Sequence, residues 1–150
     1  MTEAEFVDWC DSETWAEWKD GEVILMPPIR DEHDSVGMFL RGILLTFIDE
    51  YDLGRLCSEP YQIRLPEQKR RRSPDLFFVS KERLNLVERY QVNGPPDLII
   101  EVLSPESQSR DRREKFLEYQ AAGVREYWLV DPLSETVEIY VLGKSKEYEL

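Results

Sequence analysis

The sequence predicts an α/β fold: a mixed β-sheet with helices on both faces, preceded by an N-terminal β-hairpin. Three observations carry that expectation. Asp20-Gly21 separates two strand-like runs, and both residue types accept the positive φ that a two-residue hairpin turn demands. From Asp31 to Tyr51, apolar residues return every three or four positions, the period of an amphipathic helix. Asp75–Val79 and Leu98–Leu103 are apolar at nearly every position, the pattern of strands buried on both faces.

Taken in chain order, Glu3 to about Asp11 reads as a short helix. Trp15–Lys19 and Glu22–Met26 form the hairpin, and Pro27-Pro28 stops its second strand. In the long helix Val36, Phe39, Leu40, Ile43, Leu44, Phe47, Ile48 and Tyr51 make one broad apolar stripe. Asp31 or Asp34 can cap its start, and Gly54 lies just beyond its end. Strand-like segments follow at Arg55–Leu65, Ser73–Val79, Asp97–Leu103, Glu126–Val130 and Thr136–Val141. Lys81–Tyr90 reads as a short helix, and Ser109–Ala122 as another, closed by Gly123. No repeat, low-complexity tract or linker divides the chain, so one domain is expected over 1–150, with residues 1–28 as an extension.

Composition narrows the function classes. Of the 150 residues 41% are hydrophobic, enough for a core, and the net charge is −12. No run approaches the ~20 apolar residues of a membrane span, and Met1–Cys10 has three acids and no base. Cys10 and Cys57 lack metal-ligand spacing and are too few for a disulfide framework. A cytoplasmic protein with free thiols and no membrane partner is therefore expected. The charge is uneven: residues 1–60 carry −11, residues 61–115 carry +3 and residues 116–150 carry −4. The basic third centres on Lys69-Arg70-Arg71-Arg72, a run that reads either as a solvated loop or as a phosphate contact.

The informative residues are acids inside buried strands, because a buried carboxylate is costly unless paired or metal-bound. Asp97 and Glu101 share a strand face but lie roughly 13 Å apart along it, too far to chelate one ion together. If the Asp75 strand runs antiparallel to this one with Val79 opposite Asp97, Asp75 falls opposite Glu101, with Cβ atoms about 4.5–5.5 Å apart. Two carboxylates that close repel unless a cation or proton intervenes. Hard oxygen donors favour magnesium or manganese over zinc. On the following helix Asp111, Lys115 and Tyr119 recur at four-residue spacing and line one face. A lysine near a metal-bound water can help deprotonate it or neutralise charge developing on a phosphate. Two acids, a metal and a lysine beside a basic segment fit phosphodiester hydrolysis.

The stretches Arg72-Ser73-Pro74-Asp75-Leu76, Pro96-Asp97-Leu98-Ile99-Ile100-Glu101-Val102-Leu103-Ser104-Pro105, the Asp111, Lys115 and Tyr119 helix, and Gly123-Val124-Arg125-Glu126-Tyr127-Trp128-Leu129-Val130-Asp131-Pro132 resemble the Uma-two family. Those proteins are restriction-endonuclease-like members of the PD-(D/E)xK nuclease superfamily. The upstream Asp20-Gly21, Met26-Pro27-Pro28 and His33 match the family's N-terminal pattern too, so the resemblance runs from about Trp15 to Val141. It implies an αβββαβ core, a nucleic-acid substrate with DNA foremost, a magnesium or manganese cofactor, Asp75 as the PD aspartate and Glu101 as the second metal ligand. Leu103 stands where the motif's lysine would be, and the resemblance moves that role to Lys115 on the next helix. Family members usually continue past the strand at Thr136–Val141, which leaves open whether Leu150 is a natural end or a truncation. Many enzymes on this fold dimerise to cut two strands, so a homodimer is expected by analogy.

Each candidate has a plainer reading beside the functional one: Asp75 as strand-start turn chemistry after Pro74, Glu101 as the ion-pair partner of a nearby arginine, and Lys115 as a surface pair with Asp111, the reading favoured without the resemblance. Asp97 reads as the start of a strand after Pro95-Pro96, with direct participation the lesser option. Asp111 is a cap or an orienter of Lys115, and Tyr119 is packing whose hydroxyl can reach the site. His33 is a helix-start histidine that the resemblance raises to a supporting residue. The resulting expectation is a metal-dependent endonuclease. The alternative is a catalytically inactive nuclease fold used for binding or assembly, suggested by Leu103 and the −12 charge. A third option is an acidic mimic of nucleic acid that binds a basic protein.

Overall fold

The computed structural model describes residues 1–11 and 13–150. Helix α1 (Glu3–Trp9) opens with a capping box, in which Thr2 Oγ1 accepts from the Glu5 amide while the Glu5 carboxylate accepts from the Thr2 amide. Phe6 on α1 packs against Ala16 and Trp18 of the hairpin. The hairpin strands β1 (Ala16–Lys19) and β2 (Glu22–Leu25) pair antiparallel around Asp20 and Gly21, whose φ values are 42° and 97°. The turn chemistry predicted this.

Helix α2 (Asp31–Glu50) departs from expectation in two ways. Its N-cap is Arg30, with no side-chain hydrogen bond, and Asp31 and Asp34 instead fall in the first turn, where their charge meets the helix dipole. Its apolar stripe is divided. Val36, Leu40 and Leu44 pack on the sheet and Ile48 is buried, whereas Phe39, Ile43, Phe47 and Tyr51 are exposed. A helix lying on a sheet covers one row at four-residue spacing, and the row beside it turns outward.

Among the described residues the strands form two sheets, a larger one of six strands and a smaller one of five with the hairpin at one edge. The predicted strand Arg55–Leu65 is two strands in different sheets, β3 (Gly54–Ser58) and β4 (Gln62–Leu65), because the chain turns at Glu59-Pro60 and proline cannot join a ladder. Likewise Pro74 separates β5 (Arg70–Arg72) in the smaller sheet from β6 (Leu76–Ser80) in the larger. The predicted helix Lys81–Tyr90 contracts to a 3₁₀ segment, Lys81–Leu86, followed by β7 (Gln91–Asn93), which runs parallel to β4.

The element order around the larger sheet is the αβββαβ order. After α2, strands β3, β6 and β8 (Leu98–Val102) pair antiparallel; a helical crossover then leads to β9 (Glu126–Asp131), parallel to β8. The crossover is a π-helical turn, Arg110–Lys115, continuing into α3 (Phe116–Ala122), which Gly123 closes at φ 81°. Strands β10 (Thr136–Leu142) and β11 (Tyr148–Glu149) extend the sheet on the β9 side. Both sheet faces are covered, as the solid apolar runs predict: Leu76, Ile100 and Val102 pack toward α2, and Phe77, Val79 and Ile99 cluster with Tyr119 of α3. The α2–β3 turn requires glycine: at Gly54 (φ 149°) a Cβ would lie 2.2 Å from the Val79 carbonyl oxygen. Among the described residues no helix is long and apolar enough to cross a membrane.

Candidate active site

Strands β6 and β8 pair with Leu76 opposite Ile100, and one further step along that register sets Asp75 across from Glu101. Asp75 precedes β6 directly after Pro74. Its Oδ2 accepts from the Val102 amide at 2.6 Å and lies 3.1 Å from His33 Nε2 on the first turn of α2. Glu101 is 3% exposed, and its Oε1 accepts from Lys115 Nζ at 2.8 Å and from the Tyr119 hydroxyl at 3.1 Å. The π-helical turn and α3 therefore present Asp111, Lys115 and Tyr119 on one buried side, next to β8. Asp111 Oδ1 makes an ionic contact with Lys115 Nζ at 3.1 Å, yet no hydrogen bond satisfies that buried oxygen among the described residues.

The hairpin contributes an acid that sequence reasoning missed. Glu17 on β1 is fully buried, with Oε1 3.8 Å from Lys115 Nζ and accepting from the Ser73 amide at 3.0 Å. Its Oε2 accepts from Arg72 Nη1 at 2.9 Å. Arg72, also fully buried, donates onward to Glu118 and Glu114 on the crossover helix. The basic run is thus largely turned inward. Arg70 donates to Glu118 and Arg71 to Glu3, whereas Lys69 projects an exposed side chain beside Asp20.

A pocket of about 60 Å³ opens onto these groups, lined by His33, Glu59, Asp75, Glu101, Asp111 and Lys115, with Arg30 and Arg110 at its wall. Glu59, the second acid missed from sequence, sits at the turn between β3 and β4. Burial, reinforced by repulsion from Asp75, pushes its carboxyl up to about 7. Burial also raises Glu101 well above the usual carboxylate range, with Asp111 and Asp75 adding to the effect and Lys115 opposing it. Burial disfavours the Lys115 ammonium, but Glu101, Glu17 and Asp111 outweigh that cost and hold its pKa well above the ordinary value. The hydrogen bond to Asp75 raises His33 against a smaller effect of burial. Asp97 lies elsewhere. It accepts from the Ser80 amide and from Arg83, fastening the start of β8 to the end of β6.

The donor set suits a hard divalent cation. Asp75 and Glu101 oppose each other; Glu101 Oε2 receives no amide, ammonium or hydroxyl donor among the described residues, and the Glu59 carboxyl is hydrogen-bonded to Asp75. Among those residues no three His, Cys, Asp or Glu side chains converge closely enough to enclose an ion.

The chain is similar, at 22% identity and a TM-score of 0.81, to a solved structure described as a "putative nuclease belonging to DUF820" from Anabaena variabilis ATCC 29413; the match covers 99% of this chain and 83% of that one. At that identity the likeness is one of fold. No curated protein matches the chain. The family model described as "Uma2: Putative restriction endonuclease" matches residues 3–150. With that match spanning nearly the whole chain, and the opposed acids placed on an αβββαβ core, the protein belongs to the Uma2 family.

Proposed function

We propose that this protein is a magnesium- or manganese-dependent endonuclease that hydrolyses phosphodiester bonds in DNA and works as a homodimer. The observation that carries the reading is the opposition of Asp75 and Glu101 with Lys115 bonded to Glu101. Asp75 and Glu101 would hold the cation, which when bound supplies an activated water and neutralises charge at the phosphate. The chain's own residues do the rest. The Val102 amide and His33 fix Asp75 through Oδ2, so its other oxygen keeps a set direction. Lys115, held charged by its ring of acids, orients Glu101 and carries a proton at Nζ next to the reacting centre. Tyr119 donates to the same Glu101 Oε1 and helps hold that carboxylate in place. The dimer rests on the outer face of α2, where Met38, Phe39, Ile43, Phe47 and Tyr51 are exposed together.

Calorimetric titration of manganese into the wild type and into Asp75→Asn tests the metal site without a choice of substrate. Saturable binding in the wild type that is lost in the variant is the expected result. Equal binding in both, or none at millimolar metal, would overturn the assignment. It would also favour the other reading, a nuclease fold used for binding, which one observation supports: Leu103, at the motif lysine's position, is 4% exposed and packed in the core.

A further inference from the structure

The pocket over Asp75 has a neighbour. A second depression of about 210 Å³ is lined by His33, Gly37, Arg41, Glu59 and Asp75, so the two meet at His33, Glu59 and Asp75. Arg110 lines only the first and Arg41 only the second. Neither guanidinium has a carboxylate partner within ion-pair distance among the described residues, although most of the other arginines do and the chain holds 31 acids. Arginine unpaired in such an acidic protein, on both sides of a candidate reacting centre, is poised for an anion that arrives from outside. The inward-turned Arg70, Arg71 and Arg72 are engaged with Glu118, Glu3 and Glu17.

A glycine supports the same reading. His33, Gly37 and Arg41 follow at four-residue steps along α2 and line one edge of the second depression. A Cβ at Gly37 would meet nothing within 4 Å. Glycine inside a helix costs about 1 kcal/mol relative to alanine, so packing gives no reason for it here. It leaves that edge without a side chain between His33 and Arg41, whereas the equally uncrowded Gly42 lies outside both depressions.

We infer that one polynucleotide strand lies along this groove, with Arg110 and Arg41 binding the phosphates on either side of the one presented to Asp75 and Glu101. The inference rests on the nuclease reading and adds to it the path of the strand and the residues that hold it. Because Asp34, Glu59, Asp75, Glu101, Glu106 and Asp111 also line the groove, retention of the strand requires a divalent cation.

The test is fluorescence anisotropy of a labelled 20-nucleotide single-stranded oligodeoxynucleotide with the full chain in calcium, beside manganese calorimetry on the same proteins. Arg41→Ala and Arg110→Ala should each weaken binding about tenfold, the effect of one charge-assisted contact. Each should also lower the slope of log affinity against log salt by about one. Arg89→Ala and Arg113→Ala, outside both depressions, should change neither. Gly37→Trp should abolish oligonucleotide binding while manganese binding and helical content stay as in the wild type. Equal losses in all four arginine variants would mean diffuse attraction and overturn the inference, as would unchanged binding in Arg41→Ala and Arg110→Ala. A wild type that binds manganese but not the oligonucleotide would overturn the groove and leave the metal site standing. A wild type that binds neither would overturn both.

Discussion

His33 is the only histidine in the chain, so one imidazole resonance reports directly on Asp75. The Asp75 carboxylate raises its pKa by accepting its hydrogen bond, and burial works the other way. Asp75→Asn removes the charged acceptor and leaves the burial. In a proton NMR titration of the metal-free protein, the His33 midpoint should therefore fall in the variant, with the charges of Glu59 and Asp111 still raising it. An identical titration in wild type and variant would show that the 3.1 Å contact does not form in solution. The stability linkage has a definite sign. A histidine with a raised folded pKa contributes stabilisation that is fully present below its unfolded pKa and is lost as pH rises through the folded one. The wild type should lose this increment across that window, and the variant should lose less. The same residues show what sequence can and cannot reveal. The grouping of Asp75, Glu101 and Lys115 was legible because alternation and helix spacing are local rules; the antiparallel register had to be assumed, and the family resemblance marked out Lys115. Glu17 and Glu59 were not: one reaches the site only because the hairpin docks there, and the other because the chain turns at Pro60.

The smaller sheet and the crossover helix are joined by charge. Arg72 on β5 is fully buried between Glu17 on β1 and Glu118 beyond the π-helical turn. Arg72→Met keeps the volume and removes the charge, leaving the fully buried Glu17 without its nearest guanidinium. That should destabilise the protein by about 3–5 kcal/mol in urea denaturation, the cost of breaking a buried ion pair from one side. Lys81→Ala breaks an ion pair as well, with Asp52, but both side chains are more than half exposed. Its cost should stay below about 1 kcal/mol. Similar losses for the two variants would show that the Arg72 network is not closed to water. This network also explains why β5, the strand that ties the predicted hairpin to β4, escaped sequence reading. Lys69–Arg72 has the composition of a solvated loop, and only the acids brought around it by β1 and the crossover helix make it a strand. In the larger sheet β8, β9 and β10 were legible to within a residue at each end, whereas β3 was merged with β4, β6 was begun three residues early and β11 was not foreseen.

Across the whole molecule, apolar surface and net charge act in opposite directions. More than half of Phe39, Phe47 and Tyr51 remains exposed on α2, as does more than half of Met38 and Ile43. With aromatic side chains of ~150–250 Å² each, this face amounts to on the order of 500 Å² of apolar surface. A stable interface covers about 800 Å² per partner, of which roughly 60% is nonpolar, so the face matches what one protomer contributes to a dimer. The rings of Phe47 and Tyr51 already pack together, 4.8 Å between centroids, as a preformed ridge. Against this, two chains of charge −12 repel each other. Because salt screens that repulsion and leaves hydrophobic burial largely intact, the dimer should strengthen as ionic strength rises, the reverse of an interface held by ion pairs. Light scattering coupled to size exclusion should give a dimer mass for the wild type, more completely at 0.5 M than at 0.05 M salt. Phe47→Glu places a charge in the middle of the face at a position exposed in the single chain, so it should give a monomer of unchanged helical content. A monomeric wild type at high micromolar concentration, or an unchanged mass for Phe47→Glu, would reject α2 as the dimer surface. Paired strand cleavage by opposed active sites would then require another surface.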